Sequence, residues 1–264
     1  MSIAALRRSA STLLRMHKAG VSVVPCCGRR SAAAHQSARL PNVLLRVLGV
    51  ACLFSGVALL GVILARLSLP LTLGLTSCMF LLTLAGVWLL AGPDRRGRLG
   101  RMLLAGIVTG IVATVVYDIT RYVLSQLDPS PYNPFELLRI FGSLLLGEGV
   151  SAETQRIAGT AFHLLNGTMF GLSYVLLFGR GGETTRRWAV VTGVSWGLFL
   201  ETFQIVLYPS WLQIQFVSEF ATISAFSHVF FGLTLGVVGR VLLRRWVPPD
   251  IDGEDDVLDE PLPA

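Results

Sequence analysis

The sequence predicts an all-α polytopic membrane protein with six transmembrane helices, the last four forming a duplicated helical-hairpin bundle. The 264 residues are 53% hydrophobic and only 14% charged, with a mean hydropathy of +0.64, whereas soluble domains carry about 25% charged residues. The apolar residues concentrate in runs of about twenty, the length that crosses a bilayer as a helix. The arginines lie beside these runs, which is typical of membrane proteins.

Six apolar runs lie between two polar tails. The predicted spans are residues 43–65, 69–91, 102–125, 156–178, 188–208 and 221–243. The N-terminal tail is basic and contains no acidic residue, whereas the C-terminal tail is acidic, rich in proline and predicted to be disordered. The predicted organisation is a basic tail 1–42, a transmembrane hairpin 43–92, a four-helix transmembrane domain 100–245 and an acidic disordered tail 246–264.

The arginines also predict an orientation. The N-terminal tail, the loops that follow the second and fourth spans, and the segment after the sixth span hold most of them. Positive residues concentrate in cytoplasmic loops, so both termini are predicted to be cytoplasmic in a bacterial inner membrane. The alternative is an organellar membrane, with the basic tail as a transit peptide. The expected partner is the lipid bilayer and not nucleic acid, and a homo-oligomer remains an open alternative.

The longest predicted outer loop, residues 126–155, contains an amphipathic segment at 135–147. Glu136, Arg139 and Ser143 recur there at three- and four-residue spacing among apolar residues. This pattern predicts a short helix that lies in the membrane interface. The helix either covers the outer end of the bundle or has no specific role.

The last four spans carry a repeated pattern of small and polar residues. The third span has Gly106, Gly110, Thr114 and Asp118 at steps of four, and the fifth has Gly193, Gly197 and Glu201. The fourth has His163, Gly167 and Gly171, and the sixth has His228, Gly232 and Gly236. Steps of four keep residues on one helix face, and small residues let membrane helices approach closely. We therefore expect two copies of one hairpin, related by a pseudo-two-fold axis along the membrane normal.

Four ionisable side chains, one from each of these spans, are predicted to meet at one level in the outer half of the bilayer: Asp118, His163, Glu201 and His228. Each lies about seven or eight residues from the outer end of its span, or roughly 10–12 Å at the helical rise. Because ionised groups inside a membrane are costly, they are expected to face one another rather than lipid. Arg121 is predicted to pair with Asp118, and Asn166 and Gln204 to support the cluster.

Four interpretations of this cluster remain open. It is a structural polar network, or a pathway for protons or a small solute. Alternatively, His163, His228, Asp118 and Glu201 bind a divalent metal, or the two histidines hold a haem, and the protein is then an oxidoreductase or hydrolase. No nucleophile elbow, phosphate loop or dinucleotide fingerprint occurs, so no catalytic residue is assigned and a non-enzymatic protein is favoured.

Three motifs resemble those of a known group of proteins: "AGIVTGIVAT", "FHLLNGTMFGLSY" and "SHVFFGLTLG". They are similar to motifs of the YagU-like and related uncharacterised bacterial inner-membrane proteins. The resemblance covers roughly residues 100 to 240 and includes His163, Tyr174 and His228. It implies the same membrane architecture and does not imply a reaction. The first two spans and both tails lie outside it.

Overall fold

The computed structural model describes residues 42–179 and 185–247, and these residues form helices and no strand. The helices are α1 Asn42–Ala51, α2 Phe54–Ala65, α3 Leu69–Leu90, α4 Pro93–Leu127, α5 Glu136–Leu146, α6 Ala152–Phe178, α7 Arg186–Trp211 and α8 Val217–Trp246. Five of them are long and apolar enough to cross a membrane, and α1 with α2 forms a sixth candidate. The predicted all-α membrane class is confirmed. The predictions for the two tails lie almost entirely outside the described residues.

The first predicted span, 43–65, is not one continuous helix. It is divided into α1 and α2, which meet at an angle of 45°. The Ser173 hydroxyl of α6 donates a hydrogen bond of 2.7 Å to the carbonyl of Gly49. In a continuous helix that carbonyl would accept from the Leu53 N–H, which instead bonds to the Val50 carbonyl. A side chain that enters the backbone ladder in this way is a known cause of a sharp bend.

Four of the remaining five spanning helices extend past at least one predicted end, whereas α3 matches its predicted span closely. The third span was expected at 102–125, but α4 runs from Pro93 to Leu127. Hydropathy detects only the apolar part of a helix, whereas backbone hydrogen bonding continues through polar flanking residues. Two starts carry side-chain caps: Ser151 accepts from the Thr154 N–H before α6, and Thr185 accepts from the Trp188 N–H before α7.

Glycines allow close helix contacts within both hairpins. A methyl group at Gly171 of α6 would overlap the backbone of Gly110 in α4, and one at Gly193 of α7 would overlap the Gly232 carbonyl in α8. The α4–α6 and α7–α8 hairpins therefore pack backbone to backbone, the use of small residues that the sequence predicts.

The arrangement of the two hairpins is asymmetric. Helix α8 packs along α4, whereas α6 and α7 make only a few contacts. A two-fold axis would make these two interfaces equivalent, so the structure departs from the expected pseudo-symmetry. Helix α5 packs on α6, where Gly142 and Gly159 allow close approach, and α3 lies outside α2 with most of its surface exposed. The end of the bundle that carries α5 is called the α5 end below.

Candidate functional site

The four ionisable residues predicted to form one cluster form two separate pairs. His163 Nε2 lies 2.9 Å from Asp118 Oδ1, which joins α6 to α4. His228 Nδ1 lies 2.7 Å from Glu201 Oε2, which joins α8 to α7. Each hairpin thus contains one His–carboxylate pair. Within the expected four-residue cluster, each imidazole is hydrogen-bonded to the acid of its own hairpin.

The two pairs differ in burial. The Glu201 and His228 side chains are 2% and 7% exposed, whereas those of Asp118 and His163 are 35% and 18% exposed. The Ser224 hydroxyl also donates to Glu201 Oε2, at 2.8 Å. The other carboxylate oxygen of Glu201, Oε1, is buried and has no hydrogen-bond partner among the described residues. The Glu201–His228 pair is therefore the more deeply buried of the two pairs.

Tyr117 lies against both histidines and was not identified from the sequence. Its ring centroid is 4.8 Å from that of His228, in an edge-on arrangement, and 5.8 Å from that of His163. The side chain is buried. One available signal was that Tyr117 precedes Arg121 by four residues and so shares a helix face with it. The two His–carboxylate pairs are thus connected through an aromatic ring.

Arg121 does not form the predicted ion pair with Asp118, whose carboxylate binds His163 instead. The guanidinium lies 5.7 Å from the Tyr117 ring centroid and 5.8 Å from that of Phe135. The residue is only 3% exposed, and Nε and Nη2 have no hydrogen-bond partner among the described residues. A buried, incompletely bonded cation is costly and requires a physical explanation.

The Tyr132 phenol beside Arg121 does not neutralise this charge. Burial raises the pKa of Tyr132, and the nearby positive charge of Arg121 only partly opposes the rise. The phenol therefore stays protonated at neutral pH. Tyr132 lies in the loop between α4 and α5. In this loop the Asp128 and Asn133 side chains each accept a hydrogen bond from the backbone N–H two residues later in the chain.

The two predicted supporting residues behave differently. The Gln204 Nε2 atom is 3.2 Å from His228 Nε2, so it orients that imidazole from the side opposite Glu201. Asn166 forms no hydrogen bond with His163 in the described part of the chain, and its Oδ1 is buried without a partner. Both amides line the same cavity.

A cavity of about 180 Å³, called here the lateral cavity, adjoins both pairs. Its polar wall consists of Thr114, Tyr117, Arg121, His163, Asn166, Gln204, Tyr208 and His228. Its remaining wall is apolar and comes mainly from α2, α5 and α7. Leu137 and Phe141 of α5 are buried in this wall, so α5 covers the cavity at the α5 end.

The lateral cavity opens to the side of the bundle. Three of its lining residues are also well exposed on the outer surface: Val57 of α2 and Phe199 and Phe203 of α7. The bend after α1 directs α2 along α3, and α2 forms no extensive contact with α7.

The paired residues lie at similar distances from the α5 end. Asp118 lies nine residues before the last residue of α4, and Glu201 lies ten before that of α7. His163 and His228 each lie eleven residues after the first residue of α6 or α8. At about 1.5 Å per residue these separations are roughly 14–17 Å. They exceed the predicted depth because the helices extend further than their apolar windows.

The metal and haem alternatives gain no support from the described residues. Among residues 42–179 and 185–247, no three His, Cys, Asp or Glu side chains lie close enough together to hold a metal ion. Both imidazoles pack against Tyr117, and each has a nitrogen bonded to a carboxylate. A haem held by both histidines would have to displace these contacts.

The predicted resemblance to YagU-like proteins stays a prediction. Comparison of the chain with protein-family models, curated proteins and solved structures finds no match.

Proposed function

We propose that this integral membrane protein admits a small solute to the lateral cavity and exchanges protons with it, so that protons or the solute move across part of the bilayer. The observation that carries this proposal is that two His–carboxylate pairs adjoin one cavity, some of whose lining residues are exposed on the outer surface. Ionisable groups inside a membrane typically mark substrate or proton pathways.

The chemistry of the pairs supports proton exchange. Histidine titrates near neutral pH, and a neighbouring carboxylate can accept or stabilise its proton. His163 and His228 both line the cavity, while Glu201 lies behind His228 and is almost fully buried. A proton taken up by His228 from the cavity would thus be stabilised by Glu201 without exposing that acid.

A structural polar network is the second candidate, and the direct pairing of acid and imidazole in each hairpin favours it. Interhelical hydrogen bonds of this kind select helix register in membranes. This candidate explains both pairs. It does not explain why the cavity adjoins them, or why Arg121 and Asn166 present unbonded polar atoms.

Proton flux in proteoliposomes separates the two candidates. The full-length protein is reconstituted with an internal pH-sensitive dye, and a pH step is applied outside. We expect wild-type protein to accelerate equilibration over empty liposomes and Glu201→Gln to reduce the added rate at least tenfold. Glu153→Gln, which alters an exposed acid of α6, is the matched control and should leave the rate unchanged. Equal rates for Glu201→Gln and wild type would refute proton exchange through this pair.

We also propose that the α4–α6 and α7–α8 hairpins are two copies of one unit. Supporting this, Gly110 faces Gly171 in the first hairpin and Gly193 faces Gly232 in the second, and each hairpin holds one His–carboxylate pair. The proposed location is a bacterial inner membrane, with the α5 end outside and both termini in the cytoplasm, on the evidence of the arginine distribution. The motifs that resemble YagU-like proteins lie within these same hairpins.

A further inference from the structure

We propose that the acidic segment 248–264 of this chain binds to a basic surface at the end of the bundle opposite the α5 end. That surface, called here the basic end, consists of five exposed arginines from three helices: Arg101 of α4, Arg186 and Arg187 of α7, and Arg244 and Arg245 of α8. The inference concerns residues outside the lateral cavity and does not depend on proton exchange.

The fold brings the three helix ends together. Helix α8 packs along both α4 and α7, which make no extensive contact with each other, so α8 lies between them. Leu99 in the first turns of α4 and Leu243 in the last turn of α8 are buried in the same apolar cluster. The other end of α7 lies at the α5 end, where the Tyr208 ring packs on Phe141. The last turn of α8 is therefore at the centre of the basic end.

Positive charge at the basic end exceeds the acidic charge that the same segments provide. They hold nine arginines and one acidic residue, counted over residues 93–101, 185–192 and 240–247. Near the α5 end, Arg139 and Arg156 each pair with a glutamate three residues earlier. None of the five arginines of the basic end forms an ion pair with a described residue. An acidic partner therefore has several exposed cations to bind.

Segment 248–264 carries the complementary charge and is attached at the right place. Its 17 residues include seven acidic residues and neither lysine nor arginine, and it begins three residues after Arg245. An extended chain of this length reaches roughly 55 Å, whereas packed helices lie only about 8–10 Å apart. The segment can thus reach every arginine of the basic end.

Covalent attachment favours this segment over other anions. A single exposed ion pair contributes little, but several pairs formed by one chain act together. Because the segment is joined to α8, its binding is intramolecular and its effective concentration at the basic end is high. Anionic lipid headgroups carry suitable charge but are not attached, and they are the competitors that the test must distinguish.

The mobility of a spin label in the segment tests this inference. The label is attached at Leu258→Cys in an otherwise cysteine-free, full-length protein in phosphatidylcholine nanodiscs. At low salt we expect an immobilised component in the electron paramagnetic resonance spectrum. At about 1 M salt the Debye length falls to about 3 Å, so this component should decrease at least threefold.

Charge-removing variants locate the contact. Arg244→Gln/Arg245→Gln should reduce the immobilised component at least threefold. Arg66→Gln/Arg156→Gln, which removes two exposed arginines outside the basic end, is the matched control and should retain it. Asp255→Asn/Asp256→Asn should also reduce the component, and because this variant leaves α8 unaltered, a defect in the end of α8 would not explain both results.

Five outcomes would overturn the inference. Three concern the label itself: no immobilised component at low salt, a component that salt does not reduce, or one that Arg244→Gln/Arg245→Gln leaves unchanged. Loss of the component on deletion of residues 1–41 would mean that the segment binds there instead. Loss in phosphatidylglycerol nanodiscs would assign the basic end to lipid headgroups. None of these results involves flux through Glu201, so proton exchange stands or fails separately.

Discussion

The burial difference between the two His–carboxylate pairs predicts that they stabilise the bundle by different amounts. The Glu201 and His228 atoms are 2.7 Å apart and almost fully buried, whereas the Asp118 carboxylate is about one-third exposed. Interhelical polar pairs in membranes contribute about 0.6 kcal/mol on average and reach about 1.7 kcal/mol. We expect a coupling energy near the upper value for Glu201–His228 and near the mean for Asp118–His163.

Double-mutant cycles measure these coupling energies directly. One cycle uses Glu201→Gln and His228→Gln, and the other uses Asp118→Asn and His163→Gln. Each set is unfolded in bicelles under identical conditions. Glu201→Gln retains an oxygen that can accept from the Ser224 hydroxyl, so the cycle reports mainly the interaction with the imidazole.

The reasoning is refuted if the Asp118–His163 coupling equals or exceeds the Glu201–His228 coupling. It is also refuted if the buried pair couples by less than about 0.5 kcal/mol, below the mean for such pairs. Either result would mean that burial does not determine the strength of these interactions in this bundle.

Two further predictions concern packing and orientation. Gly232→Ala should lower the free energy of unfolding by about 1–3 kcal/mol because the added methyl group overlaps the Gly193 carbonyl. Gly74→Ala, where nothing lies within 4 Å, is the control and should be neutral or slightly stabilising in the same assay. Equal losses of unfolding free energy in the two variants would contradict the packing argument. In a cysteine-free background, Ser68→Cys should react with an impermeant maleimide added outside intact cells, and Gly92→Cys should react only after permeabilisation. The reverse pattern would contradict the proposed orientation.

Hydropathy alone determined most of the helical architecture. Runs of about twenty apolar residues must form helices in a bilayer, because the backbone has no other hydrogen-bonding partners there. The glycine pattern also identified the faces on which α4 meets α6 and α7 meets α8, since Gly110, Gly171, Gly193 and Gly232 all occur at those contacts. The sequence of a single helix is sufficient to predict that the helix forms and which of its faces packs closely.

The first span shows where that local signal ends. Nothing within residues 43–65 marks the division between α1 and α2. The hydroxyl that bonds to the Gly49 carbonyl at this division belongs to Ser173, which lies in another helix. Helix α2 packs along α3 and forms no extensive contact with α7. The division of this span thus involves a side chain that is distant in sequence, and the residue pattern within the span does not predict it.

The sequence by itself predicted that polar side chains of α4, α6, α7 and α8 lie at about one level, because the helical rise gives their distance from the helix ends. Only the tertiary structure decided their partners: Asp118 with His163, Glu201 with His228, and Tyr117 between the two histidines as a ring contact. Helix rotation and separation determine which atoms come within hydrogen-bonding distance, and neither is encoded in the spacing of one helix. For the same reason Arg121, expected to pair with Asp118, instead lies against the Tyr117 and Phe135 rings, with Nε and Nη2 buried and unbonded among the described residues.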